Sequence, residues 1–204
     1  MLLAFVMPFA FIVLNSIYSI QTLTMAVVTP STLKLLKTPE ILLKYGKPGD
    51  HQNFTVVEIP FPMIVAWDRT TKIKRFTCHK LIAAKLRQVY VDILSEYGLP
   101  EIERLGINIY GGCFNHRPKR GTENSYNNAI KAGDLNRAAS FLSVHSWAIA
   151  VDMDPDRNKL TETHLTARFA KPTYKKMIDC FYRNGFVGLG PEKDYDWMHF
   201  QIGS

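Results

Sequence analysis

Two short blocks far apart in the chain constrain its fold more than any other feature. The first is Ser143-Val-His145-Ser-Trp-Ala-Ile-Ala150-Val-Asp152, and the second is Asp196-Trp-Met-His199. A lone histidine is most often a hydrogen-bonded structural residue, and a lone aspartate at a strand end is most often a turn residue. Jointly the blocks supply two imidazoles and a carboxylate, His145, His199 and Asp152, with a second carboxylate, Asp196, three residues before the last imidazole. Such a His2Asp set leaves one position of a four-coordinate ion open, as hydrolysis requires and a closed structural site does not allow. A fold that uses it must return the second block to the side of the first.

The wording resembles the double signature of the zinc DD-peptidase family, which includes D-alanyl-D-alanine carboxypeptidases and the L-alanyl-D-glutamate peptidases of phage endolysins. The resemblance rests on Ser143, His145, Ala150, Asp152, Asp196 and His199, all at the family spacing. A further segment, Tyr110-Gly-Gly-Cys-Phe-Asn-His-Arg117-Pro-Lys-Arg120-Gly, looks like the family's arginine segment, and the likeness covers roughly Ile59 to Ile202. The chain departs from the pattern at Ala148, where the family usually has glycine. Alanine costs on the order of 1 kcal/mol where the backbone needs a positive φ.

The resemblance implies one Zn2+ ion held by His145, Asp152 and His199, with Asp196 as the proton acceptor and donor. It also implies an arginine for the oxyanion: Arg117 first, with Arg120 as substitute, because a guanidinium keeps its charge and donates paired hydrogen bonds. Ser143 is expected to orient a ligand or the substrate. The expected fold is α+β, a small antiparallel sheet flanked by helices of the hedgehog/DD-peptidase type. The expected activity is cleavage of peptidoglycan stem peptides, of the endolysin L-alanyl-D-glutamate type or alternatively as a D-alanyl-D-alanine carboxypeptidase. A non-catalytic zinc-containing wall-binding module is the rival from another class.

The 204 residues suit one domain with a proper core, expected as a monomer. A net charge of +7 suits an anionic polymer such as cell wall. No zinc finger, recognition helix or aromatic–glycine motif points to nucleic acid. Three cysteines, Cys78, Cys113 and Cys180, have no metal or redox spacing, and their odd count argues against a disulfide framework. Residues 1–24 are read as a signal or anchor, with residues 2–14 the membrane-associating stretch, or as the product of a start set upstream of Met25. Residues 25–58 form an N-terminal arm, and residues 59–204 the peptidase domain.

Within these bounds, a helix is expected in Leu33–Tyr45, stopped at Gly46-Lys-Pro-Gly49. Val56–Trp67 is strand-like but broken by Pro60 and Pro62. A long helix runs from a Thr77 cap to about Tyr97, ended by Gly98-Leu-Pro100, with His79 on its surface. Ile107–Tyr110 and Ala148–Met153 read as short strands. Residues 118–140 read as an irregular excursion, Pro172–Asn184 as a helix, and Trp197–Ile202 as the last strand. Residues three apart face opposite ways in a regular strand, so a bend near Trp197 is required for Asp196 and His199 to work together.

Overall fold

The computed structural model describes residues 33–204. The segment 1–32, with the apolar stretch 2–14 and Met25, lies outside the described residues. No described helix is long and apolar enough to cross a membrane.

A long hairpin opens the sheet, strand β1 (Phe54–Val65) pairing antiparallel with β2 (Asp68–His79). Along β1 the side chains of Val57, Ile59, Phe61, Met63 and Val65 are buried in strict alternation, the period-2 pattern of a strand with one face on the core. Pro60 and Pro62 fall on the other face, within the gap between Glu58 and Met63 where the ladder to β2 shifts register. The irregularity lies where the chain has no N–H to offer, so the prolines interrupt pairing without ending the strand.

Thr77 is therefore a strand residue, paired with Val56, and not the cap of a helix. Helix α2 starts only at Ala83 and runs to Leu105. It kinks at Gly98 (φ 70°, ψ 157°) and continues through Pro100 to a left-handed stop at Gly106. The glycine and proline bend this helix rather than end it. His79 is buried, not on the surface: Nε2 lies 3.1 Å from the Tyr45 carbonyl, and Nδ1 accepts from the Leu81 N–H.

Helix α2 packs along β1 and returns the chain so that β3 (Ile109–Gly112) enters parallel to it. Three antiparallel pairings follow: β3 with β4 (Ala150–Met153), β4 with β6 (His199–Ile202), and β6 with β5 (Phe186–Gly188). The protein is α+β as expected, but the sheet is mixed, six strands in the order β2-β1-β3-β4-β6-β5. One parallel pair, β1 with β3, departs from the all-antiparallel expectation: β2 and then α2 intervene between them, a connection long enough to bring β3 alongside β1 in the same direction.

The rest of the chain closes around this sheet. Helix α1 (Thr38–Tyr45) buries Ile41 and Tyr45 in the main core, and the Trp147 Nε1–H donates to the Gly46 carbonyl at 2.9 Å. The described part of the N-terminal arm is thus built into the body, and β1 passes through residues 58 and 59 without interruption. The 118–140 excursion holds two helices, α3 (Glu123–Lys131) and α4 (Leu135–Ser140). Helix α5 (Lys175–Arg183) follows a short 3-10 turn at Pro172–Tyr174 and packs on α2 and β5.

At the end of the core nearest β6, the Phe181 and Phe200 rings stack with centroids 4.0 Å apart and an interplanar angle of 11°. Both are fully buried. Replacing Phe181 by alanine is expected to cost about 3–5 kcal/mol. Urea unfolding of the metal-free protein would show this as a lower midpoint with an unchanged slope.

Candidate metal centre

The site forms because β4 and β6 pair in one register, which sets Asp152 directly opposite His199. His145 reaches the same point from a 3-10 turn, Val144–Trp147, that precedes β4. Ser143 caps this turn, its Oγ accepting from the His145 N–H at 3.4 Å. The turn leaves through Ala148, which holds the left-handed conformation (φ 53°, ψ 36°) that the expected glycine would adopt freely. Its carbonyl is held by the His79 N–H at 2.9 Å. The alanine costs strain at this position, yet the turn is made and His145 is delivered.

His145 Nε2, Asp152 Oδ1 and His199 Nδ1 form a nearly equilateral triangle, with separations of 3.2, 3.1 and 3.0 Å. Ligand atoms about 2.0 Å from a tetrahedral ion stand about 3.3 Å apart, so the triangle matches one face of such a coordination shell. The outward nitrogens fix the tautomers. His145 Nδ1 lies 2.8 Å from the Cys113 carbonyl, and His199 Nε2 lies 3.2 Å from Gln201 Oε1. Each N–H donates outward, so the inward nitrogens carry lone pairs, and such outward hydrogen bonds are what orient metal-binding histidines. Three acceptors pointing at one another in a buried place favour a cation between them. Among the described residues, His145, Asp152 and His199 are the group of histidines, cysteines and acids that could hold a metal ion.

The electrostatics keep the carboxylate charged. Burial alone would raise the pKa of Asp152, but the two imidazoles outweigh it and hold the carboxyl well below the usual carboxylate range. Burial likewise opposes charge on His145, and the adjoining Asp152 carboxylate more than offsets it, raising the imidazole. The carboxylate therefore stays ionised and ready for a cation.

Asp196 sits on the turn before β6 with its own left-handed backbone, φ 53°. The bend that the spacing demanded lies here, one residue before Trp197, and the strand itself begins at His199. The turn is anchored from a neighbouring loop: the Asp196 N–H donates to the Leu160 carbonyl at 3.1 Å, and the Met198 N–H to that of Asn158 at 3.2 Å. Trp197 lies over Gly190, where a Cβ would come within 2.3 Å of the indole, so only glycine fits. Burial raises the Asp196 carboxyl above its ordinary range, and its Oδ1 is enclosed without a hydrogen-bond partner in the protein.

Arg117 is brought in by the closure of the 118–142 excursion. Its carbonyl accepts from Ser143, its N–H donates to Ser146 Oγ, and the next residue bridges to Leu142. Its guanidinium Nη1 donates to the Pro118 carbonyl, and its charge is felt at His145. The charge of the exposed Arg120 is felt at Asp196. Arg117, Arg120, Ser143, Asp196 and the three ligand candidates all line one cleft of about 440 Å³.

Sequence reasoning passed over several participants. Gln201 carried a usable signal, since it lies two residues after His199 on the same strand face. The carbonyl of Cys113 carried none, because a backbone acceptor has no residue signature. Leu35 and Leu36 of the arm also line the cleft, a tertiary contact no local pattern encodes.

If the tautomers are set as described, Gln201→Ala should lower divalent-ion affinity by about 10–100-fold. His145→Ala should remove tight binding altogether. Titration calorimetry on the metal-free protein measures both. No family model, curated protein or solved structure matches this chain.

Proposed function

We propose that the chain is a zinc-dependent peptidase of the DD-peptidase type, cutting bacterial peptidoglycan stem peptides as an endolysin-like L-alanyl-D-glutamate endopeptidase. The observation that carries this is the triangle of three inward lone pairs beside a half-enclosed carboxylate, Asp196, in one open cleft. A structural site would close around its ion; here the ligand candidates face a cavity large enough for a peptide.

His145, Asp152 and His199 would hold the zinc ion, which would supply Lewis acidity and a water of lowered pKa. Asp196 would take a proton from the attacking water and pass it to the leaving amine, so that one carboxylate serves as base and then acid. Arg117, whose charge reaches His145, stands beside the scissile carbonyl and offsets the charge that develops on its oxygen. Arg120, whose charge is felt at Asp196, and Lys119 make the leaving-group side of the cleft basic, complementary to an acidic amine-side residue. The net charge of +7 adds general attraction to an anionic wall.

The test is the full chain, metal-free and then zinc-loaded, incubated with purified peptidoglycan, each new terminus identified by mass spectrometry. Zinc-dependent appearance of D-glutamate amino termini is the expected result. Free D-alanine would reassign the protein as a carboxypeptidase. Zinc binding with no new terminus from several wall types would make it a binding module.

Asp196→Asn should retain zinc and lower kcat by about 10²–10⁴-fold, the range of a positioned acid–base group. Because burial raises the Asp196 carboxyl and the base must be ionised, kcat/KM should fall as pH falls. That acid limb should lie above the ordinary aspartate value of about 3.9 and disappear in Asp196→Asn. A pH–rate profile checks this.

A further inference from the structure

The cleft does not end at the ion-binding triangle. A second cavity of about 360 Å³ continues beyond it, and Arg117, His145 and Asp152 line both. The two arms differ in chemistry. The first contains Lys119, Arg120 and Asp196. The second adds only Trp67, Gly111, Gly112, Phe114 and Asn115, none of them ionisable.

Trp67 is the notable member. It lies in the turn between β1 and β2 and is 71% exposed, whereas Trp147 and Trp197 are 1% and 8% exposed. An indole left in water forgoes the burial that aromatic rings usually contribute, and such rings are enriched where a partner comes to cover them. Its ring is steadied by Tyr110, with centroids 6.1 Å apart. The floor between Trp67 and the triangle is bare backbone. A Cβ at Gly111 would come within 3.0 Å of the Asp152 backbone and Cβ, and at Gly112 the nearest heavy atom to a Cβ is the Trp67 ring, 4.0 Å away.

The proton path orients a substrate in this groove. Asp196 belongs to the first arm and delivers the proton to the leaving amine, so the amine-side residues lie in the basic arm. The acyl side must then leave through the other. We propose that the Trp67 arm is a binding subsite for the uncharged acyl-side extension of the substrate, with Trp67 as its covering face. On the proposed peptidase function, on which this rests, the occupant is the N-acetylmuramyl–lactyl group that precedes L-alanine. This makes the enzyme read both sides of the bond and accounts for an open-ended groove.

Two substrates separate the subsite from the rest of the machinery: an N-acetylmuramyl-L-alanyl-D-glutamyl peptide, and the same peptide with only an N-acetyl group on the alanine. Trp67→Ala should reduce the ratio of their kcat/KM values about tenfold, mainly through KM, and Trp67→Phe should restore most of it. Leu43→Ala, at an exposed apolar residue of α1, is the control and should leave the ratio unchanged. In the full-length zinc-loaded Asp196→Asn protein, the muramyl peptide should shift tryptophan emission, and the shift should vanish with Trp67→Phe. An unaltered ratio in Trp67→Ala, or an emission shift that survives Trp67→Phe, overturns the subsite while leaving the peptidase assignment intact. Absence of cleavage overturns the peptidase assignment, and the emission titration then decides the subsite: no shift with the muramyl peptide overturns it too.

Discussion

The pairing of β4 with β6 is the constraint on which the site depends. One hydrogen-bonded register sets Asp152 against His199, and a one-residue slip of β6 would turn His199 to the opposite face from Asp152. That register is enforced from below. Val151 and Phe200 are cross-strand partners in the core, and Phe200 stacks on Phe181 of α5. The hydrophobic core and the polar centre are therefore two faces of the same four-residue strands.

Around this pair, backbone strain is concentrated where side chains must be re-aimed. Ala148 and Asp196, both left-handed without being glycine, flank the paired strands in sequence. Each lies at the point where the chain changes from a turn that presents a polar group to a strand that buries an apolar one. The strain is absorbed by neighbours: His79 and Cys113 hold the Ala148 carbonyl, while Leu160 and Asn158 hold the Asp196 turn. Strained residues persist where surrounding contacts over-determine them, and here the contacts are identified.

Much of this was legible in the sequence, for physical reasons that differ by element. The convergence of His145, Asp152 and His199 could be anticipated because metal chemistry tolerates few donor sets and spacings. The break before His199 followed from strand geometry alone. Strand β1 was harder, since Pro60 and Pro62 argue against a strand unless one knows that the ladder lapses between Glu58 and Met63. Thr77 resembled a helix cap because capping and strand residues share threonine, and only pairing with Val56 decides between them. The buried His79 looked like a surface residue because its partner, the Tyr45 carbonyl, belongs to an element more than thirty positions earlier. Tertiary partners of backbone groups are the part of a structure that local patterns do not encode.

The excursion that carries α3 and α4 leaves and rejoins the body at a single place. Pro118 bridges Leu142, Lys119 donates to the Phe141 carbonyl, and Ser143 donates to that of Arg117. Because the clasp fixes the ends, the entropy of closing the loop depends only weakly on what it encloses. The enclosed residues are then free to diverge in length and composition while Arg117 and Ser143 stay in place. The excursion is thus a separable insert at the lip of the cleft. A different insert grafted between residues 119 and 141 would change the lip of the cleft without rebuilding its centre.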